Sequence, residues 1–151
     1  MIRPKDIRLF ACLRQNGRET ITEISKKTKI PISTVYDRLR HHKNTNVIQK
    51  FSVLLDFTKF GYLAKATILF KVCKTDKKRM LDYLRAHQNV NTIYRINNGY
   101  DYMAEVIFCN IKDLEEFLEA LDEEFKIKHR EVHYIIDDLK REEFIPMTAE
   151  I

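Results

Sequence analysis

Residues 20–48, TITEISKKTKIPISTVYDRLRHHKNTNVI, decide the fold, because they read as two short helices joined by a tight turn. Thr20 followed by Glu23 has the spacing of a capping box, in which two side chains each satisfy a donor near the helix start. The helix it opens turns Ile21 and Ile24 inward, and Thr28-Lys29-Ile30 makes the turn. A second helix begins near Pro31-Ile32-Ser33 and runs to about Lys43. Val35 and Leu39, four apart, share its inner face, leaving Ser33, Asp37, Arg40 and His41 opposite, with Thr34 and Tyr36 on the flanks. Asn44-Thr45-Asn46 closes it, since Asn tolerates the left-handed conformation better than other non-glycine residues.

Upstream, Pro4 and Asp6 suit the first turn of a helix over Lys5–Gln15, which carries Ile7, Leu9, Phe10 and Leu13 and stops at Asn16-Gly17. This three-helix head is strongly basic. Residues 1–50 hold 12 Lys/Arg against 4 Asp/Glu, whereas residues 51–151 hold 15 against 18. A cationic helical head on a slightly acidic body is the electrostatic footprint of a DNA-contacting module. A head this small buries only ~60% of its unfolded surface, so it needs support from the body or a second subunit.

Downstream, Val47–Asp56 alternates as a connecting strand and Phe57–Leu63 is a turn around Gly61. Ala64–Cys73 reads as a strand. Asp76 caps a helix over Lys77–His87, with Met80, Leu81 and Leu84 inward. Val90–Asn97 and Tyr100–Cys109 are strands joined at Asn98-Gly99, the strongest short hairpin signal, because a type I′ turn needs two positive φ values. Asn110 caps a helix carrying Leu114, Phe117, Leu118, Leu121 and Phe125, and Glu131–Leu139 is the last strand. The order βαββαβ predicts an α+β chain: a winged-helix-like helix-turn-helix head (1–50), a connecting strand and turn (51–63), a ferredoxin-like body (64–140) and a C-terminal tail (141–151). The tail is expected to dock across a neighbouring subunit.

Three widely spaced cysteines without a C-x-x-C pair fit reduced thiols. The start MIRPKDIRLF lacks a signal-peptide core, and no 18-residue apolar run exists, so a cytoplasmic protein without a membrane span is expected. His129 and His133 would lie on one strand face roughly 13 Å apart, too far to share a metal. His41 and His42 point about 100° apart on a helix. Glu115-Glu116 and Glu123-Glu124 read as solvated helix faces. No metal, cofactor or catalytic dyad is expected. An apolar sheet face with helices on one side only requires a cover, and a second copy of the same sheet is the simplest. Tyr94, Tyr100, Tyr102 and Tyr134 are placed near that open face, where they could alternatively stack RNA bases.

Several stretches, in order and spacing, resemble the Lrp/AsnC (feast/famine) family of transcription regulators. They are Asp6, Leu9, Phe10, Leu13 and Asn16-Gly17-Arg18; Thr34-Val35 with Arg38-Leu39 and Val47-Ile48; Leu55-Asp56-Phe57 with Phe60-Gly61-Tyr62; and Asn98-Gly99-Tyr100-Asp101-Tyr102. The likeness spans nearly the whole chain. His42 departs from the family's usual Leu and is expected either to loosen the head packing or to reach solvent. Pro31 stands where a capping Ser is common, which moves the expected cap to Ser33.

The second helix of the motif is expected in the major groove of double-stranded DNA. Ser33, Tyr36, Asp37 and Arg40 would read base edges, with Thr34 on a thymine methyl or the backbone. Arg40 is the natural guanine reader, and Asp37 either accepts from cytosine or orients Arg40. Arg18, Lys26, Lys27, Lys29, Arg38 and Lys43 would meet phosphates. The resemblance implies a homodimer or higher even oligomer, up to an octamer. It also implies an amino-acid or small-metabolite effector at Asn97, Asn98, Gly99, Tyr100 and Asp101. There, Asp101 would meet an α-amino group and the Asn98-Gly99 backbone a carboxylate. Two alternatives stand beside this reading: a siroheme-decarboxylase-like enzyme of the same architecture, and a low-specificity architectural DNA-binding protein.

Overall fold

The computed structural model describes residues 2–147. These form two compact units, 2–55 with 139–147 and 56–138.

In the first unit, α1 (Pro4–Gln15) starts with Pro at its first position, and Asp6 accepts from the Arg3 backbone N–H at 2.9 Å. The second helix, α2 (Ile21–Thr28), opens with the expected box: Thr20 Oγ1 accepts from Glu23 N at 3.2 Å, and Glu23 Oε2 accepts from Thr20 N at 2.8 Å. Lys29 at φ 60° turns the chain into α3 (Ile32–Asn44). Pro31 is the N-cap of α3 without a side-chain acceptor, so Ser33 sits inside the helix and does not cap it. Asn46 takes the left-handed φ of 57° that the closing turn demands. Leu9, Ile24, Ile30 and Val35 form the core, with Phe10, Leu13, Ile21 and Leu39 packed around it.

His42 does not reach solvent. It is buried with its ring edge-on to Phe10, and its Nε2 lies 3.5 Å from Asp6 Oδ1. Asp6 is buried too, and Arg38 pairs with the same carboxylate. The imidazole is thereby held inside the head beside a buried anion.

The strand expected over Val47–Asp56 is absent. Residues 51–56 take no regular secondary structure and pair with no strand among the described residues, and backbone without a ladder partner does not form a strand. Phe51, Val53, Leu54 and Leu55 are all exposed. Asp56 then caps a 3₁₀ turn over Phe57–Phe60, which Gly61 ends at φ 84°.

The second unit contains β1 (Ala64–Val72), α4 (Lys77–Ala86), β2 (Val90–Arg95), β3 (Tyr102–Phe108), α5 (Ile111–Glu124) and β4 (Ile127–Tyr134). All pairings are antiparallel in the order β2-β3-β1-β4. This is the ferredoxin-like arrangement. Ala64, Ala66, Ile68, Phe70 and Val72 alternate into the helix-covered face, where Met80, Leu84, Leu114, Phe117, Leu118 and Leu121 meet them. Asn110 caps α5 through Asp113 N at 2.9 Å. Asp76 precedes α4 but makes no cap bond to it. Its carboxylate accepts from Lys126 N at 2.8 Å and so ties the helix start to the approach of β4.

The last strand begins earlier than the expected Glu131 and ends earlier than Leu139. It is an edge strand pairing only with β1, and its charged run Lys128-His129-Arg130-Glu131 conceals the alternation. The open face is also not apolar. Opposite the core it presents Lys65, Thr67, Lys71, Glu105, His129, Glu131 and His133 beside Leu69, Met103 and Tyr94, by the register of the strands. Tyr102 and Tyr134 are on the other, helix-covered side, paired across the ladder with Phe70 and Ala66. Their hydroxyls donate to Lys77 O and to Glu115 Oε1. An RNA-stacking surface of four tyrosines is therefore not assembled.

Candidate nucleic-acid interface and effector turn

The turn at Lys29 and the inward residues Val35 and Leu39 leave one side of α3 outward. Ser33, Tyr36, Asp37 and Arg40 are all exposed there. Among the described residues Arg40 forms no ion pair, and neither do Arg18, Lys26, Lys29 or Lys43. The expected orientation of Arg40 by Asp37 is not formed, so the guanidinium is available to an external acceptor.

Three candidates are placed differently from their expected roles. Arg38 is turned onto buried Asp6, which fixes α3 against the start of α1 and withdraws its charge from the surface. Lys27 is paired with Glu19, whose carboxylate raises the lysine above its ordinary value. Thr34 is half-buried on the wall of a cavity of about 360 Å³, shared with Arg3, Asp6, Asp37, Arg38, His41 and His42. Burial pushes Asp6 upward, but the Arg3 N–H and the Arg38 guanidinium outweigh it and hold the carboxyl below its usual range. The Asp6–Arg38 pairing spans 32 residues and has no local signature, so sequence patterning could not reveal it.

In the second unit, Asn98 and Gly99 take φ values of 61° and 90°, as a type I′ turn requires. Asn97, Asn98 and Gly99 are exposed, and Tyr100 donates its hydroxyl to Glu131. Asp101 does not wait for a ligand. Its carboxylate lies 2.7 Å from Lys77 Nζ and 3.6 Å from Lys71 Nζ, and accepts from Val72 N at 2.9 Å. Burial would raise it, yet Lys77 and the Val72 N–H keep it below the ordinary value. An α-amino group would have to displace Lys77. His129 and His133 each approach Glu131, at 3.8 and 3.2 Å. Among the described residues no group of three or more His, Cys, Asp or Glu is arranged to hold a metal.

The C-terminal segment also has a definite place. In this single chain it lies on α1: Arg14 donates to Phe144 O at 2.8 Å, to Glu142 O at 2.7 Å and to Glu142 Oε2 at 3.1 Å. Glu142 holds a left-handed φ of 52° beneath this grip. The part of the tail beyond residue 147 lies outside the described residues. An exposed ion pair alone contributes little, but two of these three bonds capture backbone carbonyls. Arg14→Ala is therefore expected to release residues 142–147, seen as accelerated amide hydrogen exchange there with α1–α3 unchanged. Equal exchange in both proteins would show that Arg14 does not hold the segment.

The family profile described as Lrp/AsnC ligand binding domain matches residues 65–144, more than half of the chain. The chain belongs to the Lrp/AsnC family. A winged helix-turn-helix DNA-binding profile matches residues 2–48. This family member thus joins a DNA-binding head to a Lrp/AsnC ligand-binding domain. It is similar to the HTH-type transcriptional regulator FL11 of Pyrococcus horikoshii, with 28% identity over 116 residues and 77% of each chain covered. Its fold matches that of a Neisseria meningitidis transcriptional regulator solved in complex with L-Met (TM-score 0.85, 17% identity, 93% of this chain and 94% of that one). It also matches LrpC of B. subtilis (TM-score 0.82, 19% identity, 93% and 98%). No helix among the described residues is long and apolar enough to cross a membrane.

Proposed function

We propose that this Lrp/AsnC protein is a sequence-specific transcriptional regulator acting as a homodimer or higher even oligomer. Its α3 helix enters the major groove. The carrying observation is the exposed, unpaired Arg40 on that helix, in a head with a threefold excess of basic over acidic residues. Ser33, Tyr36, Asp37 and Arg40 face base edges, while Arg18, Lys26, Lys29 and Lys43 neutralise phosphates. Two heads related by a twofold axis reach half-sites about 34 Å apart, so the operator is pseudo-palindromic. The apolar run Phe51–Leu55, exposed in the single chain, supports association with a second copy.

An amino acid or similar metabolite is the proposed effector. The exposed Asn98-Gly99 backbone supports contact with its carboxylate, and Asp101 contributes through Lys77, by shaping the turn. Effector binding that favours one arrangement of subunits alters head spacing and hence DNA affinity.

The test is binding to the protein's own upstream DNA and to a scrambled duplex of equal length, each over a salt series. The expected result is a preference of about 10³ or more for the native fragment. Affinity is expected to fall with salt by a slope of about −0.9 per neutralised phosphate. Equal, salt-sensitive affinity for both duplexes would instead describe an architectural protein. Absence of binding at low salt would remove the DNA reading altogether.

A further inference from the structure

Two large apolar side chains stand outward on α3, where a surface helix normally presents polar groups. Ile32 is 53% exposed and Tyr36 is 53% exposed. They are four residues apart, so they lie one above the other on the same side of the helix. Arg40 continues that line another four residues on, without an ion pair among the described residues. The apolar pair is therefore flanked by free cationic charge and sits at the N-terminal end of the helix, the end that recognition helices bring to base edges.

Resting on the reading of α3 as the recognition helix, we propose that Ile32 and Tyr36 read thymine through its C5-methyl group. The major-groove edges of guanine, adenine and cytosine offer only donors and acceptors, whereas thymine adds one apolar group, the methyl. An isoleucine pressed against a polar edge desolvates that edge without replacing its hydrogen bonds, which is unfavourable. Pressed against a methyl, it buries apolar surface on both sides. Ile32 has no other means of base contact, because its side chain carries no donor or acceptor. Tyr36 presents its ring to a second methyl and keeps its hydroxyl for a phosphate or base edge. The two side chains are about 6 Å apart along the helix axis, which places their methyls within roughly two base steps of about 3.4 Å. The thymine-methyl role expected for Thr34 thus passes to its neighbours, since Thr34 faces the cavity beside Arg3 and Asp6.

The experiment begins with a duplex selected by the full-length protein from a randomised library. Deoxyuridine then replaces thymidine one position at a time, which deletes only the methyl. Two positions per half-site are each expected to bind about fourfold more weakly, the worth of one buried methyl. The loss at one of them is expected to vanish in Ile32→Ala, and the loss at the other in Tyr36→Ala. Both substitutions are at exposed positions and leave the head core intact. A flat deoxyuridine scan with a retained operator overturns the methyl reading alone, as does a methyl sensitivity that Ile32→Ala and Tyr36→Ala leave unchanged. A change in oligomer mass on Ile32→Ala, with DNA affinity unaltered, overturns it in favour of a protein contact. Failure to select any duplex at low salt overturns the DNA reading and this inference together.

Discussion

Asp6→Ala is expected to cost the head about 3–5 kcal/mol, the usual penalty for removing one partner of a buried ion pair. Asp6 is 2% exposed and gathers three groups: the Arg3 N–H, the Arg38 guanidinium and, at 3.5 Å, His42 Nε2. Alanine leaves Arg38 without its anion and His42 with both ring nitrogens unpaired, because Nδ1 already has no partner. In a head of this size such a loss is comparable to its whole stability. Urea unfolding followed by far-UV circular dichroism should show a separate early transition, with hydrogen exchange placing it in α1–α3. DNA binding is expected to disappear with it. The double variant Asp6→Leu/Arg38→Met should recover most of the loss, since apolar replacement of both partners is close to neutral. A single-variant cost below about 1 kcal/mol would mean that the pair behaves as a solvated one.

The same carboxylate sets a pH limit. Its folded pKa lies below the unfolded value of about 3.9. Its stabilising contribution is therefore complete above that value and is lost as pH falls through the lowered folded one. Acid should weaken the wild-type head in that window, and Asp6→Asn should flatten the dependence.

Arg40→Ala is expected to reduce affinity for the selected operator by about ten- to a hundredfold, corresponding to a bidentate contact of roughly 1–3 kcal/mol. The preference for guanine at one position in each half-site should relax at the same time. Arg40→Lys keeps the charge but not the fork of donors, so it should restore affinity for random DNA and leave the guanine preference lost. If Arg40→Ala weakens all sequences equally and reduces the salt slope by about one, Arg40 is a phosphate contact instead.

Local chemistry was legible for most residues that act on their own turn, the caps expected of Asp76 and Ser33 being the exceptions. The Thr20–Glu23 box, the Asn98-Gly99 hairpin and the Asn110 cap each involve partners within three residues, and each forms as read. The period-two run of β3 and the apolar stripe of α5 announced the core they bury. β4 was read late because an edge strand keeps its charges, and periodicity reports burial more than hydrogen bonding. The Val47–Asp56 segment has a strand's alternation and no strand's partner. Alternation records which side chains suit a pleated surface, while a ladder requires a second backbone.

By itself the sequence determined the division of charge, the helix-turn-helix, the βαββαβ order and the outward side of α3. These follow from nearest-neighbour geometry and from the energetic demand to bury apolar surface. Only the tertiary structure decided which charges remain free. It turned Arg38 onto Asp6, Lys27 onto Glu19 and Asp101 onto Lys77, buried His42, and left Arg40, Ile32 and Tyr36 exposed. Charge pairing depends on distances between elements remote in the chain, and residues 32 apart leave no periodic trace of their meeting. Composition therefore identified a basic head, and packing selected the few side chains of that head that can still meet DNA.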